Sequence, residues 1–220
     1  MKRFKALLVD IDGTVADCEK RNRNVLESVA TAHGGQILPQ DWLVLAGTSD
    51  HFIHGWLAKK FSAFKIGVRD FVDEVKCGYL RRSFEVVARE GIMESFLHIQ
   101  GRGIKIAAVT NSPSDIAASN LVATKCDKFM EFVMTATDVE RAGRSIKPMP
   151  DPYLMAAERL HVDPASCLVL EDSGSGTAAA LAAGSTVIQI VDDPVYTVPA
   201  AHYHAHNPLQ LKALCKQLIP

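Results

Sequence analysis

The period of the apolar positions changes sharply along this chain. Residues 6–9, Ala-Leu-Leu-Val, are an unbroken apolar run ending on Asp10, Asp12 and Gly13. A run of that length, closed by a turn signal, predicts a strand buried on both faces, the pattern of a parallel sheet. From about residue 15 to 95 the spacing is helical instead. Val25, Leu26, Val29 and Ala30 share a face up to the break at Gly34-Gly35, and 39–45 predicts a short helix ending at Gly47. Phe52, Ile53, Trp56, Leu57 and Phe61 form another face, and Phe71, Val75, Tyr79 and Leu80, then Phe84 and Val87, form one or two more. No strand is predicted in this stretch. Beyond it, strands are predicted over 104–110, 132–135, 167–170 and 186–191. They alternate with helices over 114–123, 151–160, 176–183 and 209–218.

Strands alternating with helices imply a parallel sheet covered on both faces. The predicted fold is therefore α/β, a Rossmann-like sheet with an inserted all-helical unit. The core is expected over 1–14 and 90–220, and the helical insertion, a cap over the strand ends, over 15–89.

Composition narrows the function classes. Lys and Arg total 24 against 25 Asp and Glu, a net charge of −1, so no bulk field attracts nucleic acid or an anionic membrane. No apolar stretch approaches the roughly 20 residues of a membrane span. The five cysteines are widely spaced, without a C-x-x-C pair, which points to buried thiols and a cytoplasmic protein rather than a disulfide framework. An apolar helical face can be core or interface, so the pattern leaves the oligomeric state open. A monomer is the expectation.

The chemistry begins at Asp10-Ile-Asp12. In open α/β sheets the carboxyl ends of strands carry the site, and residues i and i+2 of a strand point the same way. An isolated pair of this kind would be ordinary turn aspartates. Here Thr110-Asn111-Ser112, Lys147-Pro-Met-Pro150 and Glu171-Asp172 follow strands or nearby loops, all on the same sheet edge if the topology holds. Paired carboxylates suit a hard divalent cation such as Mg²⁺, and hydroxyls, backbone amides and a lysine suit a phosphate. A carboxylate also accepts phosphoryl groups covalently.

Four segments in this order, V-D-I-D-G-T (9–14), A-V-T-N-S (108–112), I-K-P-M-P-D-P-Y (146–153) and L-E-D-S-G-S-G-T-A-A-A-L-A-A-G (170–184), strongly resemble the haloacid dehalogenase superfamily of aspartate-nucleophile phosphotransferases. The resemblance is to its β-phosphoglucomutase-like and phosphoglycolate-phosphatase-like branch. It implies that Asp10 is the nucleophile and Asp12 the general acid and base, with a backbone carbonyl on Mg²⁺. Thr110, Asn111, Ser112 and Lys147 would bind phosphate. Asp172 would complete the metal ligands beside Asp10 and Asp12, with Glu171 behind them. An acid at Asp12 favours phosphoryl transfer over halide displacement. The sugar phosphomutases of the branch carry a His where this chain has Asn22, so hydrolysis of a small phosphorylated metabolite is the expected activity. A sugar phosphomutase is the alternative, and a phosphate-accepting module without turnover is the rival of another class.

Gly174-Ser-Gly-Thr-Ala-Ala179 matches a dinucleotide fingerprint, but Glu171 and Asp172 would repel a pyrophosphate there. His202, His204 and His206 alternate, which suits a solvated strand end or loop better than a metal site. Gly47, Thr48, His51 and Lys76, in the helical stretch, are the candidates for substrate choice.

Overall fold

The computed structural model describes residues 4–45 and 48–220. Along the chain, β1 (Ala6–Val9) is followed by β2 (Ala16–Asp17), then by α1 (Glu19–Ala32), α2 (Trp42–Leu45), α3 (Asp50–Lys60) and α4 (Val68–Arg81). Next come β3 (Val87–Ala88), α5 (Ile92–Gln100), β4 (Lys105–Val109), α6 (Ser114–Thr124), β5 (Met130–Met134) and α7 (Ala136–Arg141). The chain ends with α8 (Asp151–Leu160), β6 (Cys167–Glu171), α9 (Gly174–Ala182), β7 (Thr186–Ile190), β8 (Tyr203–Ala205) and α10 (Pro208–Leu218).

Two compact units result. One comprises Met1–Asp17 and Val86–Pro220, and the other Cys18–Glu85. The first holds a six-stranded sheet in the order β5-β4-β1-β6-β7-β8, with all neighbours parallel. This is the expected α/β sheet. Every residue of β1, β6 and β7 is buried, as strands covered on both faces must be. Val9 lies level with Ala108 of β4 on one side and Leu170 of β6 on the other. The chain runs outward from β1 through β4 to β5, then returns to β6 on the opposite side. The carboxyl end of β1 is thus the topological switch point, where open sheets leave a crevice. Tyr153, Leu160, Leu8, Val109, Val169 and Val187 pack in one core cluster beneath it.

Among the described residues of the second unit, the regular elements are all helices. Its packing centres on Phe71, Val75 and Ile53, and the rings of His54, Phe64 and Phe71 contact one another, with centroids 5.3, 5.5 and 5.7 Å apart.

Several elements differ from the sequence expectation. β2 and β3 pair antiparallel, Ala16 with Ala88 and Asp17 with Val87, in a stretch expected to lack strands. Two residues are too few to carry a period. β8 escapes the pattern because it is a three-residue edge strand of mixed polarity. α5 is signalled by the buried Ile92, Phe96 and Ile99 at i, i+4 and i+7.

Candidate active site

Asp10 directly follows β1 and continues its ladder, its N–H donating to the Leu170 carbonyl at 3.0 Å. Thr110 does the same after β4, donating to Met134 at 2.9 Å. Glu171 closes β6 and Asp172 follows it, and Lys147 precedes α8. The switch point therefore gathers one residue group from each of three adjacent strands.

Lys147 is the centre of that group. Its Nζ donates to Asp10 Oδ1 at 2.6 Å, Glu171 Oε1 at 2.6 Å and the Val109 carbonyl at 2.7 Å. An ammonium has three protons, and these partners use all of them. Glu171 is fully buried. Its Oε1 also accepts from the Tyr153 hydroxyl at 2.7 Å, and its Oε2 from the Ser173 N–H and hydroxyl at 3.2 and 2.9 Å. Gly176 makes room for that carboxylate, because a Cβ there would stand 1.7 Å from Glu171 Oε1. The second glycine of the dinucleotide-like run thus serves a carboxylate.

The electrostatics follow from crowding charges away from water. Burial drives the Asp10 carboxyl well above its ordinary range; Lys147 opposes this, while Glu171, Asp172 and Asp12 add to it. Burial, then Glu171, push Asp172 up to about 7, against the Thr14 hydroxyl and Arg89. Burial disfavours the Lys147 ammonium, but Asp10 and Glu171 outweigh it and raise that pKa. Asp10, Glu171 and Asp172 each place an oxygen within 4.8 Å of the others'. Hard oxygen donors so crowded, with the neighbouring lysine already spent on three oxygens, fit a divalent cation such as Mg²⁺. Both Glu171 oxygens are occupied by protein donors, which leaves Asp10 and Asp172 better placed to ligate. Asp172 is set by the Thr14 hydroxyl at 2.8 Å and by Gly13, whose φ of +86° and missing Cβ let Asp172 lie against the backbone.

Asp12 is oriented differently. Its Oδ2 accepts from the Ser112 hydroxyl at 2.6 Å and, more distantly, from Thr110 at 3.5 Å; its Oδ1 accepts from Asn120 Nδ2 at 2.5 Å. Thr110 is buried, and its Oγ1 accepts from the Ser112 N–H at 3.0 Å. The Asn111 side chain clasps the Lys147 backbone in both directions, at 3.0 Å each way. Its side-chain amide is therefore committed to fixing the lysine loop.

Three contributors were not singled out from sequence. Tyr153 and Asn120 touch the site carboxylates. Arg89 donates to the Gly13 carbonyl and forms a two-point pair with Asp192 at 2.7 Å. A signal existed for Asn120, an amide on the buried face of α6 shared with Ile116, Ala117, Leu121 and Thr124. Of the substrate-choice candidates, Gly47 lies outside the described residues. Thr48 donates to the Leu45 carbonyl at 2.7 Å, His51 is exposed on α3, and Lys76 is half-buried on α4, all in the helical unit. His202 Nδ1 accepts from the Val187 N–H and His204 meets the Val198 carbonyl. Among the described residues, the carboxylate trio is the one group spaced to hold a metal.

Known proteins resemble this chain in sequence and in fold. A family model for haloacid dehalogenase-like hydrolases matches residues 4–184. Validoxylamine A 7'-phosphate phosphatase of Streptomyces hygroscopicus subsp. limoneus is 30% identical over 183 residues, 82% of this chain and 83% of that protein. Hexitol phosphatase A of Escherichia coli K12 is 30% identical over 194 residues, 86% of this chain and 83% of that protein. The crystal structure of CbbY from Rhodobacter sphaeroides in complex with phosphate matches with a TM-score of 0.83 at 22% identity, covering 94% of this chain and 96% of that one, a likeness of fold.

Proposed function

We propose a chemistry and a substrate class for this protein, which belongs to the haloacid dehalogenase-like hydrolase family and is a phosphatase of that family: Mg²⁺-dependent hydrolysis of a small phosphate monoester through an aspartyl-phosphate on Asp10. The observation that carries the reading is the Asp10 carboxylate at the end of β1, held on one oxygen by Lys147 and flanked by Asp172 and Glu171. Relatives named as phosphatases of hexitols and of a phosphorylated validoxylamine support a sugar- or polyol-phosphate substrate.

In the first step a carboxylate oxygen of Asp10 attacks phosphorus, and the bond from phosphorus to the ester oxygen breaks. Asp12, entering protonated, gives its proton to that oxygen, and the alcohol leaves. In the second step Asp12, now a carboxylate, takes a proton from water as the water oxygen attacks phosphorus. The Asp10–phosphorus bond breaks, releasing inorganic phosphate and restoring both aspartates. Thr110 and the Asn111 backbone amide bind the phosphoryl oxygens, while the one hydroxyl proton of Ser112 is engaged with Asp12. Lys147 orients Asp10 and offsets its charge, and Glu171 holds Lys147 in place. Asp10, Asp172 and the Asp12 carbonyl would hold Mg²⁺, which supplies positive charge between an anionic nucleophile and an anionic ester. Thr48, His51 and Lys76 are the candidates for choosing the ester.

The test is phosphate release from a panel of sugar and polyol phosphates with Mg²⁺ or EDTA, wild type beside Asp10→Asn. Release that requires both Mg²⁺ and Asp10 supports the reading. Turnover retained by Asp10→Asn sinks it.

A further inference from the structure

We propose that Asn120, seconded by Ser112, is a positioning residue that aims the proton-carrying carboxylate of Asp12. The inference rests on the reading of Asp12 as general acid and base. Asn120 lies on α6, 108 residues away in sequence, and is fully buried. An amide placed on an apolar helix face costs stability unless it is hydrogen-bonded. Here its Nδ2 donates to Asp12 Oδ1 at 2.5 Å. Toward the ionised carboxylate the amide must present its nitrogen, which donates, rather than its oxygen.

The two donors act on different oxygens. Ser112, just before α6, takes Oδ2 at 2.6 Å, and Asn120, inside the helix, takes Oδ1. A carboxylate held at one oxygen can still turn about its last bond, and one held at both cannot without losing a partner. Asp12 also stands outside the Asp10, Glu171 and Asp172 trio. Both donors to its carboxylate come from the β4–α6 segment. A proton carrier works only within hydrogen-bond reach of the atom it serves, so the aim of this carboxylate controls delivery to the leaving oxygen.

The dependence on leaving group separates aiming from bulk structure. An alkoxide must be protonated to leave and a nitrophenolate need not. Benzyl phosphate and para-nitrophenyl phosphate are similar in size and differ in that property. The experiment mixes each with excess enzyme and follows release of the alcohol in one turnover, for wild type, Asn120→Ala, Asn120→Asp and Ser112→Ala. The Asn120 variants should slow benzyl alcohol release on the order of 10–100-fold, within the range that general acid catalysis supplies, and nitrophenolate release by no more than a few-fold. Ser112→Ala should shift the ratio in the same direction by less. Equal losses with both esters, or no loss with either, would overturn the proposal. If the Asn120 variants fail to fold, Ser112→Ala, a half-buried loop position, decides by the same ratio. Wild-type enzyme inert toward both esters, or an active Asp10→Asn, would instead remove the phosphatase reading and this inference with it.

Discussion

Asp172 makes a prediction that joins the site's electrostatics to the stability of the core unit. In the metal-free protein its carboxyl is raised from 3.8 to about 7 by burial and by Glu171. Below about pH 4 the group is protonated whether the chain is folded or not, and it contributes nothing to the pH dependence. Between pH 4 and 7 the unfolded chain has lost the proton and the folded protein has kept it, so stability falls as pH rises. Above pH 7 the loss is complete. A shift of this size is worth about 4 kcal/mol at 1.36 kcal/mol per unit, and partial solvent access reduces the expected effect to about 2–4 kcal/mol. The Asp10 carboxyl, also raised, adds a loss of the same sign. Mg²⁺ bound to the ionised carboxylates should restore the difference. At a hundred times its dissociation constant a ligand adds about 2.7 kcal/mol, on the order of 5–10 °C of melting temperature for a chain this long. The assay is calorimetry at pH 5 and pH 8 with EDTA or Mg²⁺. Tryptophan fluorescence is the wrong probe, because Trp42 and Trp56 both lie in the helical unit. The metal-free core should melt lower at pH 8 than at pH 5. Mg²⁺ should raise the pH 8 value far more than the pH 5 value, and Asp172→Asn should flatten both responses. A wild-type core transition insensitive to pH without metal, or equally shifted by Mg²⁺ at both pH values, would refute the reasoning.

Lys147→Met should abolish turnover and lower core stability by about 3–5 kcal/mol in urea unfolding, because it strands the buried Asp10 and Glu171 carboxylates it now joins. Gly13→Ala should weaken Mg²⁺-induced stabilisation and cut phosphate release by more than about tenfold: the position has φ of +86° and a Cβ would lie 2.1 Å from Asp172 Oδ2. Tyr153→Phe keeps the ring and removes one donor from Glu171, so it should cost about 1–3 kcal/mol by calorimetry with secondary structure unchanged by circular dichroism.

The parts of the molecule readable from its sequence are those where one residue's neighbours along the chain decide its state. β1, β6 and β7 are buried on both faces, so each appears as an unbroken apolar run. Asp10, Glu171 and Asp172 mark themselves because charges sit where such runs end, and Lys147 by its place in the I-K-P-M-P segment. Asn120 and Arg89 are different, since their meaning lies in partners 108 and 76 residues away, Asp12 and the Gly13 carbonyl. β8 is hidden because an edge strand need not be apolar. Gly174-Ser-Gly176 misleads for a related reason. A glycine shows that backbone must be approached closely, but not by what, and here the approaching group is the Glu171 carboxylate of the same chain.

The same distinction explains how one sheet edge can hold so much charge. Buried carboxylates and a lysine are tolerable only if their protons and lone pairs are nearly all matched, because an unmatched buried ion costs more than a typical contact returns. Lys147 meets this with three acceptors, and Glu171 with four donors from three residues. Asp10 and Asp172 do not, and their raised pKa values are the physical sign of it. The residual mismatch therefore lies at the two carboxylates assigned to the phosphoryl group and the metal. A site whose carboxylates were fully satisfied within the protein would be more stable without Mg²⁺ and would leave neither oxygen free to react.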